Sequence, residues 1–349
     1  MTPVPDSART SRRSLLALGL GLAAVAGCSA PTTPEPSASR TPGSSAGAAG
    51  TTDVPTPLFP GAANGVQLED DLVARATLVL AVGGKKLDKT GRRLVTSIRD
   101  QHLAHAAALR TADPTDPRST GPAPTPSVSD TPSSRPTFAK AVQQLLTAES
   151  NAAAAHRATA LPANALAALL WGSLATSAGA TAAILKSADL AGDKPDPGVA
   201  TIGKVRPRAP MPVVTVVAAE QEMVRQLHAL IYGYQLALGR LKGARRDAGE
   251  AELRRHRILR DRLSTRLLDR KADVPVAKAA YVPSTNPRNA ATATKLIRQM
   301  ETGFQPFCGL WLAAATTPAE RTEALSQLSR STTVARQWGA SLSTWPGWA

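Results

Sequence analysis

The sequence predicts an all-α protein: two up-down bundles of four helices each, behind an export signal and a flexible tether. Three observations carry that prediction. Apolar residues recur with a 3.6-residue period over eight long segments. Alanine, leucine and arginine, all good helix formers, dominate the chain. Aromatic residues make up only 3%, which is low for a sandwich or a barrel.

The first element is the export signal, residues 1–27. Arg12 and Arg13 precede an uncharged apolar run from Leu15 to Gly27, and the run ends at Cys28. That run is too short to span a bilayer, which takes about 20 helical residues. Val25-Ala26-Gly27-Cys28 resembles a bacterial lipobox, and Ser11-Arg12-Arg13-Ser14-Leu15-Leu16 resembles a twin-arginine export signal. These resemblances imply cleavage before Cys28, a lipid on its sulfur, and residence on the extracytoplasmic face of the cell membrane. Residues 28–63 follow as a tether. They are rich in proline, serine, threonine and alanine, with too few large apolar side chains to offset the entropy of ordering.

Two helical halves come next, at 64–190 and 212–347. Periodic segments in the first half run over 66–82, 91–110, 137–160 and 163–185. A loop rich in Pro, Ser and Thr, 111–136, interrupts them and is long enough to be mobile. Residues 191–211 carry several prolines and read as a linker. The second half has segments at 213–242, 246–270, 289–315 and 318–343. Each half places one glutamate on the apolar stripe of its third helix, Glu149 and Glu301. Each also opens its fourth helix after a turn containing proline, Leu161-Pro162 and Thr317-Pro318. A repeat of this kind points to duplication of a four-helix unit.

The formal charge is +15, falling to +13 once residues 1–27 are removed. Export argues against a nucleic-acid partner. Attraction to anionic lipid headgroups fits a tethered basic protein better. Of the two cysteines, Cys28 is assigned to lipid. Cys308, among Phe304, Phe307, Leu310 and Trp311, then reads as a small buried hydrophobe.

Polar residues on the apolar stripes are the informative ones, because an unpaired charge there is costly. The second half offers Glu220, Tyr234, His256, Arg260 and Glu301. Arg260 and His256, four apart on one helix, are expected to face both glutamates in a buried network. The same residues could instead wall a small-ligand pocket with Tyr232 and Tyr281. In the first half, His102 and His105 lie three apart on one helix face, Glu149 is on the facing stripe, His156 follows two turns later, and Glu69 sits near the start of the first helix. Two imidazoles and a carboxylate are a donor set for zinc or nonhaem iron.

The second half also resembles a known family. Ala218-Ala219-Glu220-Gln221, then Ile231-Tyr232-Gly233-Tyr234, His256 with Arg260-Asp261, Ala280-Tyr281-Val282-Pro283, Glu301 and a closing helix near Trp338 are similar to the actinobacterial ferritin-like domain DUF4439, found in exported proteins and lipoproteins. The resemblance covers about 212–347 and implies a ferritin-like up-down bundle, with the first half a diverged copy. It implies no activity, since that fold hosts metal oxidases and metal-free modules alike. Metal-oxidising bundles use paired Glu-x-x-His motifs, and none occurs in this chain. Nor does any nucleotide-binding, hydrolase or zinc-protease motif. The expectation is therefore a lipid-anchored envelope protein with a non-catalytic binding or scaffolding role, no cofactor, and an envelope protein or small ligand as partner. The alternatives are a metal-binding protein using His102, His105 and Glu149, with iron or zinc, and a ligand carrier centred on Glu220, Tyr234 and Glu301.

Overall fold

Five of the eight described helices start at short polar side chains that accept from the first free backbone N–H groups. Asp88 accepts from Gly91 N, Thr137 from Lys140 N and Thr215 from Ala218 N. Asn289 and Thr317 complete reciprocal capping boxes with Thr292 and Glu320. In the computed structural model the described residues are 59–118, 136–188, 190, 202–206 and 208–348. They form eight helices: α1 (Ala62–Gly83), α2 (Lys89–Leu109), α3 (Phe138–Ala160), α4 (Ala165–Ala188), α5 (Val216–Leu238), α6 (Gly243–Asp269), α7 (Ala290–Ala314) and α8 (Pro318–Gln337). A single 3₁₀ turn, Gly84–Lys86, follows α1. Among the described residues there is no strand, only an isolated parallel bridge between Ile202 and Leu342. The fold is all-α.

Two helices end earlier than their periodicity predicts. α8 stops at Gln337 rather than 343 because Gly339 takes φ 89°. Ala340 N then donates to Ala335 O, and Gly339 N to Arg336 O, which closes a Schellman motif. α5 stops at Leu238, and the chain turns through Gly239–Lys242 with three-residue bonds while Leu241 stays buried. The apolar period outlasts the helix because Leu241 still packs in the core.

α1 packs against α2 and α3, and α3 against α4; α5 packs against α6 and α7, and α7 against α8. α4 also contacts α7 and α8 and so joins the two sets. Its sequence explains that position. It is apolar all round and would be long enough to cross a membrane, but 89% of its apolar window lies inside the protein. One hydrophobic cluster contains Leu169, Leu170 and Leu174 of α4 together with Leu312 of α7 and Leu325 and Leu328 of α8. A second gathers Leu72, Ile98, Leu145 and Ile184 of the first four helices, and a third Ile231, Leu253, Ile297 and Val334 of the last four, with Trp338 just beyond α8.

After α8 the segment 340–348 runs back across both sets of helices, meeting His105 of α2, Leu169 of α4, Gly309 of α7 and Leu328 of α8. Leu342 bonds to the 202–203 stretch through Gly203 N at 2.8 Å, and Leu342, Thr344, Trp345 and Trp348 are buried. The export signal with Arg12 and Arg13, the lipidation site Cys28, the tether up to residue 58, loop residues 119–135 and linker residues 191–201 lie outside the described residues.

Candidate metal centre

Glu69 occupies the buried stripe of α1 with Leu72, Val73 and Ala76, so helical spacing carries its carboxylate into the core. Three imidazoles meet it there. His102 Nδ1 lies 2.6 Å and His105 Nδ1 3.2 Å from Oε2, and His156 Nε2 of α3 lies 2.9 Å from Oε1. The other nitrogen of His102 is 2.9 Å from Oε1 of Glu149. All five side chains are at most 1% exposed. Ligand atoms of Glu69, His102 and His105 lie within 4.8 Å of one another.

The proton positions follow from the partners. His105 Nε2 is 2.8 Å from the Thr344 carbonyl oxygen, which can only accept, so this nitrogen carries a hydrogen and donates it. Nδ1 of a neutral His105 then presents a lone pair to Glu69 Oε2. Two lone pairs at 3.2 Å attract only with a cation between them, a proton or a metal ion. His102 has a carboxylate at each nitrogen. Burial alone would lower its pKa, but Glu149 and Glu69 outweigh burial and push it up from 6.5 to about 10. Burial alone would raise Glu69, but His105 and His102 hold it well below the usual carboxylate range. Burial keeps Glu149 raised despite His102, and its Oε2 has no hydrogen-bond partner. Among the described residues no lysine or arginine pairs with either carboxylate. The centre holds two acids and three imidazoles, and its positive charge must come from protons or from an ion.

Surrounding groups fix the rings. Trp171 of α4 stacks on His156 with centroids 5.6 Å apart at 21°, and Trp345 lies 4.6 Å from His105. Gln101 donates to Ser177 of α4 beside the site. The structure thus corrects the expected set of His102, His105 and Glu149: the two imidazoles converge on Glu69, whereas Glu149 meets only the far nitrogen of His102, and His156 takes the other oxygen of Glu69. Glu69 was legible by the signal that marked Glu149, an acid in phase with the apolar stripe. The Thr344 carbonyl has no such signal, because every residue carries one.

The second half has a different centre. Tyr234 Oη donates to Glu301 Oε1 at 2.6 Å, His256 Nε2 is 2.8 Å from the same oxygen, and Ser331 Oγ donates to Oε2 at 3.1 Å. Both oxygens of Glu301 are therefore occupied. Burial and Glu301 together hold the Tyr234 hydroxyl well above its usual pKa, so it stays protonated.

Two expectations are corrected here. Arg260 does not reach either glutamate; it pairs with its neighbour Asp261 at 2.6 Å on the outer face of α6. Glu220 is held instead by Arg266 and Arg270, nearly two and nearly three turns further along that helix. The proposed pocket of Glu220, Tyr234 and Glu301 also does not assemble. Glu220 and Tyr234 are fourteen residues apart on one helix, about 21 Å along its axis, and Tyr234 and Glu301 are packed against each other. Tyr232 and Tyr281 approach to 5.6 Å elsewhere, lining a surface cleft of about 250 Å³ with Met300 and Phe304. Cys308 is fully buried, and burial and Glu301 push its thiol pKa well up.

No curated protein matches this chain. The crystal structure of a conserved hypothetical protein from Mycobacterium tuberculosis is similar, at 27% identity over 35% of this chain and 93% of that chain, with a TM-score of 0.34. Residues 219–349 match the family model described as "Domain of unknown function (DUF4439)".

Proposed function

We propose that the protein holds one divalent transition-metal ion, zinc or iron, between Glu69, His102 and His105. The observation that carries this reading is the contact of His105 Nδ1 with Glu69 Oε2. Both atoms present lone pairs when the ring is neutral, and the second ring nitrogen is already committed to a backbone carbonyl. A metal-bound histidine has this arrangement, with one nitrogen on the ion and the other donating to a carbonyl. Two carboxylates are also neutralised by one divalent ion. His156 on the other oxygen of Glu69, and Glu149 on the far side of His102, orient the ligands. Mixed nitrogen and oxygen donors suit zinc or iron rather than calcium or magnesium.

The wider setting is part of the proposal. The helix pairings support two ferritin-like four-helix bundles, the first holding the ion and the second the saturated Glu301 centre. Val25-Ala26-Gly27-Cys28 supports a lipid anchor on the extracytoplasmic face of the membrane. An envelope protein or small molecule remains the partner we infer for such a tethered head.

Elemental analysis of protein purified from its native envelope tests the ion. The expected result is one equivalent of zinc or iron per chain, retained on dialysis and lost in Glu69→Gln and His102→Ala. Titrating zinc into metal-free protein should release protons, because His102 is charged near neutral pH and must lose a proton to bind. Calorimetry in buffers of different ionisation enthalpy reads that release. Native protein free of metal that takes up none on titration would end the proposal and leave a proton-held network. The anchor has a separate test: Cys28→Ala should leave the protein in the soluble fraction.

A further inference from the structure

The centre lies in the first four helices, yet one of its walls comes from beyond α8. Segment 340–348 supplies the Thr344 carbonyl that takes the His105 hydrogen and the Trp345 ring that covers His105. It belongs to no helix, and Leu342, Trp345 and Trp348 bury it against the core. Leu342 bonds Gly203. Gly347, at φ 88°, brings its backbone against Gly309 of α7, where no side chain fits between them. Arg208 lies over both Trp345 and Trp348, at 4.8 and 4.9 Å from their ring centroids, and donates to the Pro114 carbonyl. The other walls of the centre are the helices α1 to α4, whose parting would separate whole helix faces, whereas release of the strap withdraws one leucine and two tryptophans from the core and unwinds no helix.

We propose that segment 340–348 is a strap that closes the histidine–carboxylate centre, and that its release is the route by which the ion enters and leaves. This rests on the metal reading given above for its cargo, although the strap itself does not need the ion. The strap is held by the burial of Leu342, Trp345 and Trp348 and by these polar contacts. The Arg208 clamp joins the loop after α2, the stretch before α5 and both tryptophans of the strap, so its loss should loosen all three at once. Seating the strap also fixes which nitrogen of His105 carries hydrogen, so closing the door completes the ligand.

Two variants of the full chain test this: Arg208→Ala, and deletion of residues 341–349. The first readout needs no metal. Metal-free protein is treated with diethylpyrocarbonate, and acylation of each histidine is followed by mass spectrometry. His105 should be protected in the parent protein. It should react about tenfold faster in Arg208→Ala, which loses two cation–π contacts, and faster still in the deletion. His256, buried in the other centre, reports on global unfolding and should stay protected throughout. The second readout is zinc release to a chromogenic chelator, expected to be about ten to a hundredfold faster in both variants. His105 protected in both variants, or His256 labelled in step with it, overturns the strap. Labelling as expected with parent protein that never takes zinc supports the strap and overturns the ion. Zinc bound normally but released at the parent rate overturns the route.

Discussion

At the scale of single residues, His102 decides the electrostatics of the first centre. Its imidazolium lies between two buried carboxylates, and its pKa is raised from 6.5 to about 10. A group whose folded pKa is raised stabilises the fold fully below its unfolded value and loses that contribution as pH rises through the folded one. Metal-free protein should therefore lose stability from about pH 6.5 toward pH 10. Glu69 acts in the opposite sense. Its pKa is depressed from 4.5, so its contribution is present above that value and lost as pH falls further. Urea midpoints of metal-free parent and His102→Gln should differ most just below pH 6.5 and converge as pH rises toward 10. A difference that stays constant from pH 6 to 10 would show that His102 is not charged in the fold. Replacing Glu69 by glutamine strands the imidazoles it receives and should cost about 3–5 kcal/mol in the same measurement. These partners were partly legible in the sequence. An acid or histidine in phase with an apolar stripe stands out, as His102, His105 and Glu149 did. Which cation answers which anion did not, because helix rotation and side-chain reach decide it. Arg260 and Arg266 are both arginines of α6, six residues apart, and only the second turns toward Glu220.

At the scale of elements, two glycines of α7 act in opposite directions. A methyl group on Gly309 would collide with the carbonyl of Gly347, which is backbone and cannot rotate away. A methyl group on Gly303 meets nothing within 4 Å. Gly309→Ala should thus destabilise by about 1–3 kcal/mol through overpacking, and should shift tryptophan emission to the red as Trp345 and Trp348 gain water. Gly303→Ala should stabilise by about 0.5–1 kcal/mol, because alanine costs less to hold in a helix. Thermal melts of the two variants read both signs, and equal effects would remove the close approach from the account. Periodicity located all eight helices, since a buried stripe is written into residue type. It did not locate the strap. Thr344 and Gly347 do their work through backbone atoms, and a nine-residue segment without regular structure has no period to find.

At the scale of the whole molecule, the repeat visible in the sequence concealed how tightly the halves are joined. Each half shows its own apolar seam in the sequence, with a linker between, but α4 has no polar face. A helix apolar on every side needs cover on every side, and α3 alone cannot give it. α7 and α8 complete the cover, so Leu169, Leu170 and Leu174 share one cluster with Leu312, Leu325 and Leu328. Gly172 is the narrowest point of that joint; a methyl group there would lie 2.5 Å from Leu312 Cδ2. Such a contiguous core should melt as one unit. Calorimetry is expected to give a single transition, with equal calorimetric and van't Hoff enthalpies. For the 260 described residues the enthalpy should be on the order of 180 kcal/mol. Gly172→Leu drives a wedge into the joint without touching either polar centre. It should lower the melting temperature and split the transition in two, with zinc raising only the one that belongs to the first half. Two transitions in the parent protein would mean that the halves are independent, and the strap would then hold together parts that the core does not.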